Sequence, residues 1–356
     1  MEQKSVLIGM SGGVDSSVAA ALLKEQGYRV IGATMRLWTY SDSCNMKHEG
    51  CCAESAVEDA RRVCDKLGID FYVMNFKDMF KDKVVDYFVD EYIHGRTPNP
   101  CIACNKYLKF DALLKKALAM GIDYVATGHY AKIEKGEDGK YILRASEAVK
   151  KDQSYVLYNF TQEQLTHTLM PLGGYNKDWV RQKAEELGLG VAHKPDSQEI
   201  CFVEDDDYAK FITDYSGYKP KEGDILDVNG NVIGKHRGLI YYTIGQRKGI
   251  GAYGRPMFVM KIDAENNTIT LGEKGMEFSN ELTAYDVNFV SGEFPKENML
   301  ITAKVRYQAP PAAAMLCPQK DGTVKLMFPE PQRAVTPGQA VVFYDGDIVL
   351  GGGTVL

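Results

Sequence analysis

The sequence predicts an α/β protein in three parts: a Rossmann-like parallel sheet that binds a nucleotide over 1–205, a small α+β domain over 206–275, and a C-terminal β-barrel over 276–356. Three observations predict it. The apolar run Val6 to Met10 leads through Ser11-Gly12-Gly13-Val14-Asp15-Ser16-Ser17 into an Ala/Leu-rich run from Val18 to Leu23, which reads as strand, phosphate loop, helix. Short apolar runs then alternate with helical patterns to about residue 200, the signature of a parallel sheet covered on both faces. Beyond about 276 the pattern changes to period-two segments cut by Gly and Pro.

Each element has a local reason. The first helix closes at Gly27 as its C′ residue. Arg29 to Met35 is the second strand, Glu54 to Leu67 a helix ended by Gly68, and Phe71 to Phe76 the third strand. Pro98 and Pro100 hold the chain extended, Asn105 begins an amphipathic helix over Lys106 to Met120, and Tyr124 to Thr127 is the fourth strand. The strands' carboxyl ends meet at one crevice, where ligands of open α/β sheets bind. Further on, Tyr208 to Tyr215 is a short helix, and Asn229-Gly230 turns a hairpin between Asp224–Val228 and Asn231–Ile233. Ile301 to Arg306, Val324 to Phe328, Ala340 to Phe343 and Ile348 to Leu350 supply barrel strands.

The phosphate loop sets the chemistry. Glycines without Cβ let backbone amides approach an anion, and Ser16 or Ser17 can cap a helix whose N-terminus favours negative charge. No lysine stands where a G-x-x-x-x-G-K-[ST] loop needs one, so a kinase-type or GTPase-type site is disfavoured. Gly9, Met10, Ser11, Gly12, Gly13, Val14, Asp15 and Ser16 are the candidate ATP-binding residues, with Asp15 facing magnesium. Met35 is a candidate for the adenine edge, and Gly128 for close approach to ribose or phosphates. The string SGGVDSS after a strand resembles the pyrophosphate loop of the ATP pyrophosphatase superfamily, whose members activate a carbonyl oxygen by adenylation.

A net charge of −6 argues against whole-surface attraction to nucleic acid, so an RNA contact needs a local basic patch. Lys235, His236, Arg237, Arg247 and Lys248, set among Tyr241 and Tyr242, give the middle module a basic face, which by composition alone is a solvated charge run and in an RNA-binding family a phosphate contact. There is no run of eighteen apolar residues and the first strand follows a short polar start, so a cytoplasmic chain with no membrane partner is expected. Eight cysteines in such a chain read as thiols, catalytic groups or metal ligands rather than disulfides.

Cys44, Cys51, Cys52 and His48 lack zinc-site spacing and read as a loop over the crevice, with Cys52 and Cys64 packing as small hydrophobes. Cys101-Ile102-Ala103-Cys104 lies close to a helix start, which favours a thiolate at Cys104. That spacing alone fits a redox pair, half a zinc site or two cluster ligands. Cys201 alone reads as a structural cysteine.

Longer strings narrow the field. GMSGGVDSS, GRTPNP with CNK and KF, ATGHYA, KDQSYVLY, KPDSQEICF, GKHRGLIYYTIGQRKGIG and KVRYQAPP together resemble the tRNA-specific 2-thiouridylases nearly end to end. The resemblance implies ATP-dependent replacement of the wobble uridine C2 oxygen by sulfur. It also implies Cys104 as the nucleophile and Cys201 as the sulfur carrier. Asn99, Pro100 and Cys101 would lie against the target base, and Lys151, Asp152, Gln153, Arg306 and Tyr307 against tRNA. Partners would be the tRNA anticodon region and a sulfur donor such as a cysteine desulfurase or relay protein.

One departure stands out: many relatives carry aspartate where this chain has Cys101. A persulfide relay through Cys201 and Cys104 is one route. Ligation of a [4Fe-4S] cluster by Cys101, Cys104 and Cys201, with one iron open to sulfide, is the other, and the sequence leaves the two equal. An ATP-dependent ligase would share the loop but needs no crevice cysteines. A non-enzymatic iron–sulfur or RNA-binding protein would have no use for SGGVDSS.

Overall fold

The computed structural model describes residues 3–38, 54–196, 200–203 and 206–356. Strand β1 (Ser5–Gly9) is almost wholly buried, as a strand with helices on both faces must be. It pairs in parallel with β2 (Arg29–Arg36) and with β4 (Tyr124–Ala126); β2 pairs with β3 (Asp70–Asn75). Strands β5 (Ala131–Lys135) and β6 (Tyr141–Ala145) form a hairpin, and the short β7 (Thr168–Leu169) completes the parallel order β3-β2-β1-β4-β7. The order reverses between β1 and β4, which opens a ligand crevice there. Helices α1 (Val14–Glu25) and α2 (Glu54–Leu67) follow β1 and β2.

Two features depart from the sequence reading. A helical run over 77–93, π-helical across Lys81–Asp86, buries Phe80, Val84, Val85, Phe88 and Val89; their i, i+4 spacing was the available signal. The helix expected from Asn105 starts at Pro100 instead. Asn99 caps it by accepting from the Cys101 and Ile102 amides, and proline at the first helical position loses no hydrogen bond. The run continues through a π segment, Cys104–Ala112, to Ala119.

The β5–β6 hairpin joins the C-terminal sheet rather than the parallel one. Ile348 pairs with Arg144, whose guanidinium also bridges Glu134 and Asp347 at 2.9 and 2.8 Å. A middle unit of β8 (Gly223–Leu226), β9 (Val232–His236), β10 (Met257–Asp263) and β11 (Thr268–Glu273) has the order β10-β11-β8-β9. The preceding helix, Tyr208–Ser216, sends Phe211 and Ile212 into the core of the parallel-sheet domain.

The C-terminal strands are β12 (Phe278–Phe289), β13 (Met299–Lys304), β14 (Ala312–Pro318), β15 (Val324–Arg333), β16 (Ala340–Asp345) and β17 (Ile348–Val355). Pairing of β12 with β17 closes them into a barrel around Leu316, Leu326, Val341 and Phe343. Loop 337–339 of this barrel grips the chain just ahead of Cys101. Thr97 donates its amide to Pro337 at 2.9 Å, and Gln339 donates to the Thr97 carbonyl at 2.7 Å.

Candidate active site

The loop after β1 leaves the first turn of α1 open. Gly13, not a serine, is the N-cap and supplies no side-chain cap. Ser16 and Ser17 lie inside the first turn and donate their hydroxyls back to the Gly13 carbonyl at 3.2 and 2.8 Å. The forward-pointing amides stay available to an anion, and the helix dipole favours one. Gly12 has φ +71°, and a Cβ there would meet the Ala56 carbonyl of α2 at 2.3 Å. Gly128 is as constrained: its Cβ would lie 2.7 Å from the Ser16 amide, so it fits tightly behind the loop.

Asp15 is the centre of a charged network. Its carboxylate accepts from Tyr130 Oη at 2.7 Å and from Lys177 Nζ at 2.8 Å on both oxygens. Lys177 and Lys151 both reach Asp196 at 2.6 Å. Burial works against the Asp196 charge, yet the two ammonium groups hold its carboxyl below the ordinary value. Burial, then the Asp15 charge, pushes the Tyr130 phenol up, so it donates. Lys194 adds a tie from the Gly12 carbonyl at 3.2 Å to Asp59 at 2.9 Å. Lys177 and Lys194 were missed in the sequence, because nothing local marks a lysine 162 residues away as the partner of Asp15.

A cavity of about 210 Å3 opens at the β1/β4 reversal, lined by Gly9, Met10, Ser11, Asp15, Ser16, Met35, Gly128 and Gln153, and by Lys109 and His129. The structure thus brings most of the expected nucleotide residues together. Lys109 supplies a cation where the loop has none. Burial, and then the Lys109 charge, hold the His129 imidazole well below its ordinary pKa, so it is neutral; Nδ1 lies 2.7 Å from Thr127 Oγ1.

Cys101 is exposed, and Cys104, one turn on, is buried against the core that holds Leu108 and Phe110. Lys109 is five residues past Cys104 on the same run. Asn105 donates to the Val156 carbonyl at 3.0 Å, which fastens the run to the segment after Gln153. Cys201 is exposed beside Phe202, which plugs into Phe80, Phe88 and Phe211 at ring distances of 5.6, 5.3 and 5.2 Å. Among the described residues, no three Cys, His, Asp or Glu side chains gather as a metal-binding group.

Several of the residues expected against RNA are fixed by hydrogen bonds to their neighbours. Asp152 accepts from the Ser146 and Ser154 amides, Gln153 accepts from the Tyr130 amide, and Tyr307 donates to the Asp152 carbonyl at 3.0 Å. Lys304 lies 5.9 Å from both the Tyr155 and Tyr307 rings. Arg306 does not present its charge outward: Nη2 donates to the Ile244 and Ala334 carbonyls at 3.1 and 2.7 Å and to Thr336, locking the middle unit to the barrel. In the basic patch, Arg247 and Lys248 are exposed and Arg237 stacks 4.0 Å over Tyr241. His236 is buried, its Nδ1 accepting from the Gly238 amide, so it belongs to the core instead.

Cys64 packs without solvent contact, and burial pushes its thiol up to about 12, as suits a small hydrophobe. The loop with Cys44, His48, Cys51 and Cys52, and the Ser197-Gln198-Glu199 string, lie outside the described residues.

Comparison with known proteins covers the chain from end to end. Residues 4–205 match a family described as the tRNA methyl transferase HUP domain, 209–273 its PRC-barrel domain, and 279–355 the aminomethyltransferase beta-barrel domain. The chain is 59% identical over 358 residues to the tRNA-specific 2-thiouridylase MnmA of Acetivibrio thermocellus, covering 100% of both. It is 58% identical to the protein of that name from Clostridioides difficile, covering 99% of this chain and 98% of the relative.

Proposed function

The chain belongs to the tRNA-specific 2-thiouridylase family and is a tRNA-uridine 2-sulfurtransferase; on that premise we propose how its residues divide the reaction. ATP lies in the phosphate-loop cavity, with its phosphates toward the open turn of α1 and Lys109. Asp15, the carboxylate lining that cavity, would hold a magnesium ion accompanying the nucleotide, which would neutralise phosphate charge. The wobble uridine, splayed out of its anticodon stack, meets Asn99, Pro100 and Cys101. Its C2 oxygen attacks the α-phosphorus, an O–P bond forms, and pyrophosphate leaves.

Sulfur then enters as a persulfide on Cys201, loaded by a sulfur-donor protein. The terminal sulfur attacks C2 and AMP departs. The Cys104 thiolate attacks the Cys201 sulfur, forming a Cys104–Cys201 disulfide and releasing the 2-thiouridine. An external thiol reduces the disulfide for the next turnover. No step is routed through an iron–sulfur cluster. Lys151, Asp152, Gln153 and Tyr307 contact the RNA, Arg306 holds the middle unit to the barrel, and the reaction takes place in the cytoplasm.

The observation that carries this reading is the helical run from Pro100, which holds Cys101 and Cys104 at one end and sends Lys109 into the nucleotide cavity. The test is 2-thiolation of unmodified tRNA with ATP and a persulfide donor. Cys104→Ser and Cys201→Ser should each abolish thiolation while ATP binding stays within about twofold. Full activity in either variant overturns the assignment.

A further inference from the structure

A second cavity, of about 360 Å3, lies where the Cys101–Cys104 run meets the barrel. Ile102, Ala103, Lys106 and Tyr107 line it. It shares no lining residue with the nucleotide cavity, and Asn99, placed above against the uridine, is among the residues that line it.

Its chemistry is specific. Tyr107 and Tyr285 border it with 37% and 36% of their surfaces exposed. Asn159 also lines the cavity, and its Oδ1 is sealed from solvent without a hydrogen-bond partner. A sealed acceptor is costly to leave unmet, and a ligand N–H would meet it. At the mouth, Lys106 pairs with Asp286 at 2.7 Å and lies 5.5 Å from the Tyr107 ring, keeping a cation at the surface. The volume lies within the range of small-ligand sites. A flat ring with an N–H donor matches the two tyrosines and the unmet acceptor.

We infer that this cavity receives the base of a nucleotide flanking the reacting uridine, stacked on Tyr107 and Tyr285, with a base N–H donated to Asn159 Oδ1 and its phosphate near Lys106. The inference rests on the function proposed above. A loop that has splayed one base against Asn99 has lost the stacking of its neighbours, and an aromatic pocket bordered by the same Asn99 takes up one of them. The pocket then fixes how far the strand is drawn in, and so where the uridine stops.

The test uses the full chain and an anticodon stem-loop RNA, native or made abasic at each of the two positions on either side of the uridine. Tyr107→Ala should weaken native RNA binding about tenfold, within the range for loss of one base stack, and Tyr107→Phe should restore it. One abasic RNA should bind wild type with the same loss and suffer no further loss with Tyr107→Ala. A merely structural tyrosine would not produce that coupling. Independent, multiplying losses, or no loss from either change, overturn the inference while thiolation by the wild type continues. Saturable binding of free uridine or adenosine monophosphate that is lost in Tyr107→Ala but not displaced by RNA would assign the pocket to a free nucleotide and also overturn it. A wild-type chain that neither binds nor thiolates the native RNA overturns the function itself.

Discussion

Lys177 Nζ stands 2.8 Å from both carboxylate oxygens of Asp15 and 2.6 Å from Asp196, so one ammonium group ties the phosphate loop to the chain segment that leads to Cys201. Lys177→Met leaves two carboxylates without their shared cation. The cost is about 2 kcal/mol, below the value for a fully buried pair because Asp15 keeps some solvent contact. Urea denaturation should show that loss, and kcat/KM for ATP should fall at least tenfold. Unchanged ATP kinetics would mean that the tie is not part of the nucleotide site.

Gly128→Ala drives a methyl group into the Ser16 amide and the Asp15 carbonyl carbon, at 2.7 and 2.8 Å, both rigid backbone. The loop must shift, and the amides that meet phosphate shift with it. A fall of more than tenfold in kcat/KM for ATP is expected, with tRNA affinity within about twofold of wild type.

Cys101→Asp tests the choice between sulfur routes. On the relay proposed above, Cys101 is not needed as a ligand, and the variant should retain at least a third of persulfide-supported thiolation. Protein purified without oxygen should carry far less than the roughly four irons per chain that a cluster requires. Four irons per chain, lost together with activity in Cys101→Asp, would replace the relay with the cluster.

Arg306→Ala removes a guanidinium that spans the Ile244 and Ala334 carbonyls and Thr336. Acceptors left unmet in this seam cost about 2 kcal/mol. Calorimetry should show a lower melting temperature. KM for tRNA should rise while kcat/KM for ATP is kept, since the barrel supports the RNA contacts rather than the phosphate loop.

His129 gives a pH signature. Burial, then the Lys109 charge, hold its folded-state pKa well below the unfolded value of about 6.5. The unfolded chain therefore binds the proton first as pH falls. The contribution of His129 to stability is intact above about 6.5 and is lost progressively as pH drops from there toward the folded-state pKa. Urea midpoints from pH 8 to 5 should fall more steeply for wild type than for His129→Gln. Parallel curves would show that the ring is not held neutral.

The sequence by itself determined the nucleotide half of this enzyme. A phosphate loop is a local object: Gly12, Gly13 and the serines act within a few residues, so their order alone specifies strand, open turn and helix. The same holds for the strands and helices that end at glycines 27, 68 and 121. The long strings around Cys104 and Cys201 carried the family, and with it the reaction.

Only the tertiary structure decided which distant residues complete the site. Lys177 and Lys194 enter it because a helix and a loop more than 160 residues on pack beside the phosphate loop. Arg306, expected at the RNA surface, turns inward because three acceptors from two units converge on it. His236 leaves the basic patch for the core because its ring nitrogen accepts a buried amide. The start of the Cys101–Cys104 helix moved to Pro100 through one side-chain contact, the Asn99 cap. Ion pairs and caps between remote segments draw their energy from burial and geometry that only the folded chain supplies, which is why no local pattern marks them.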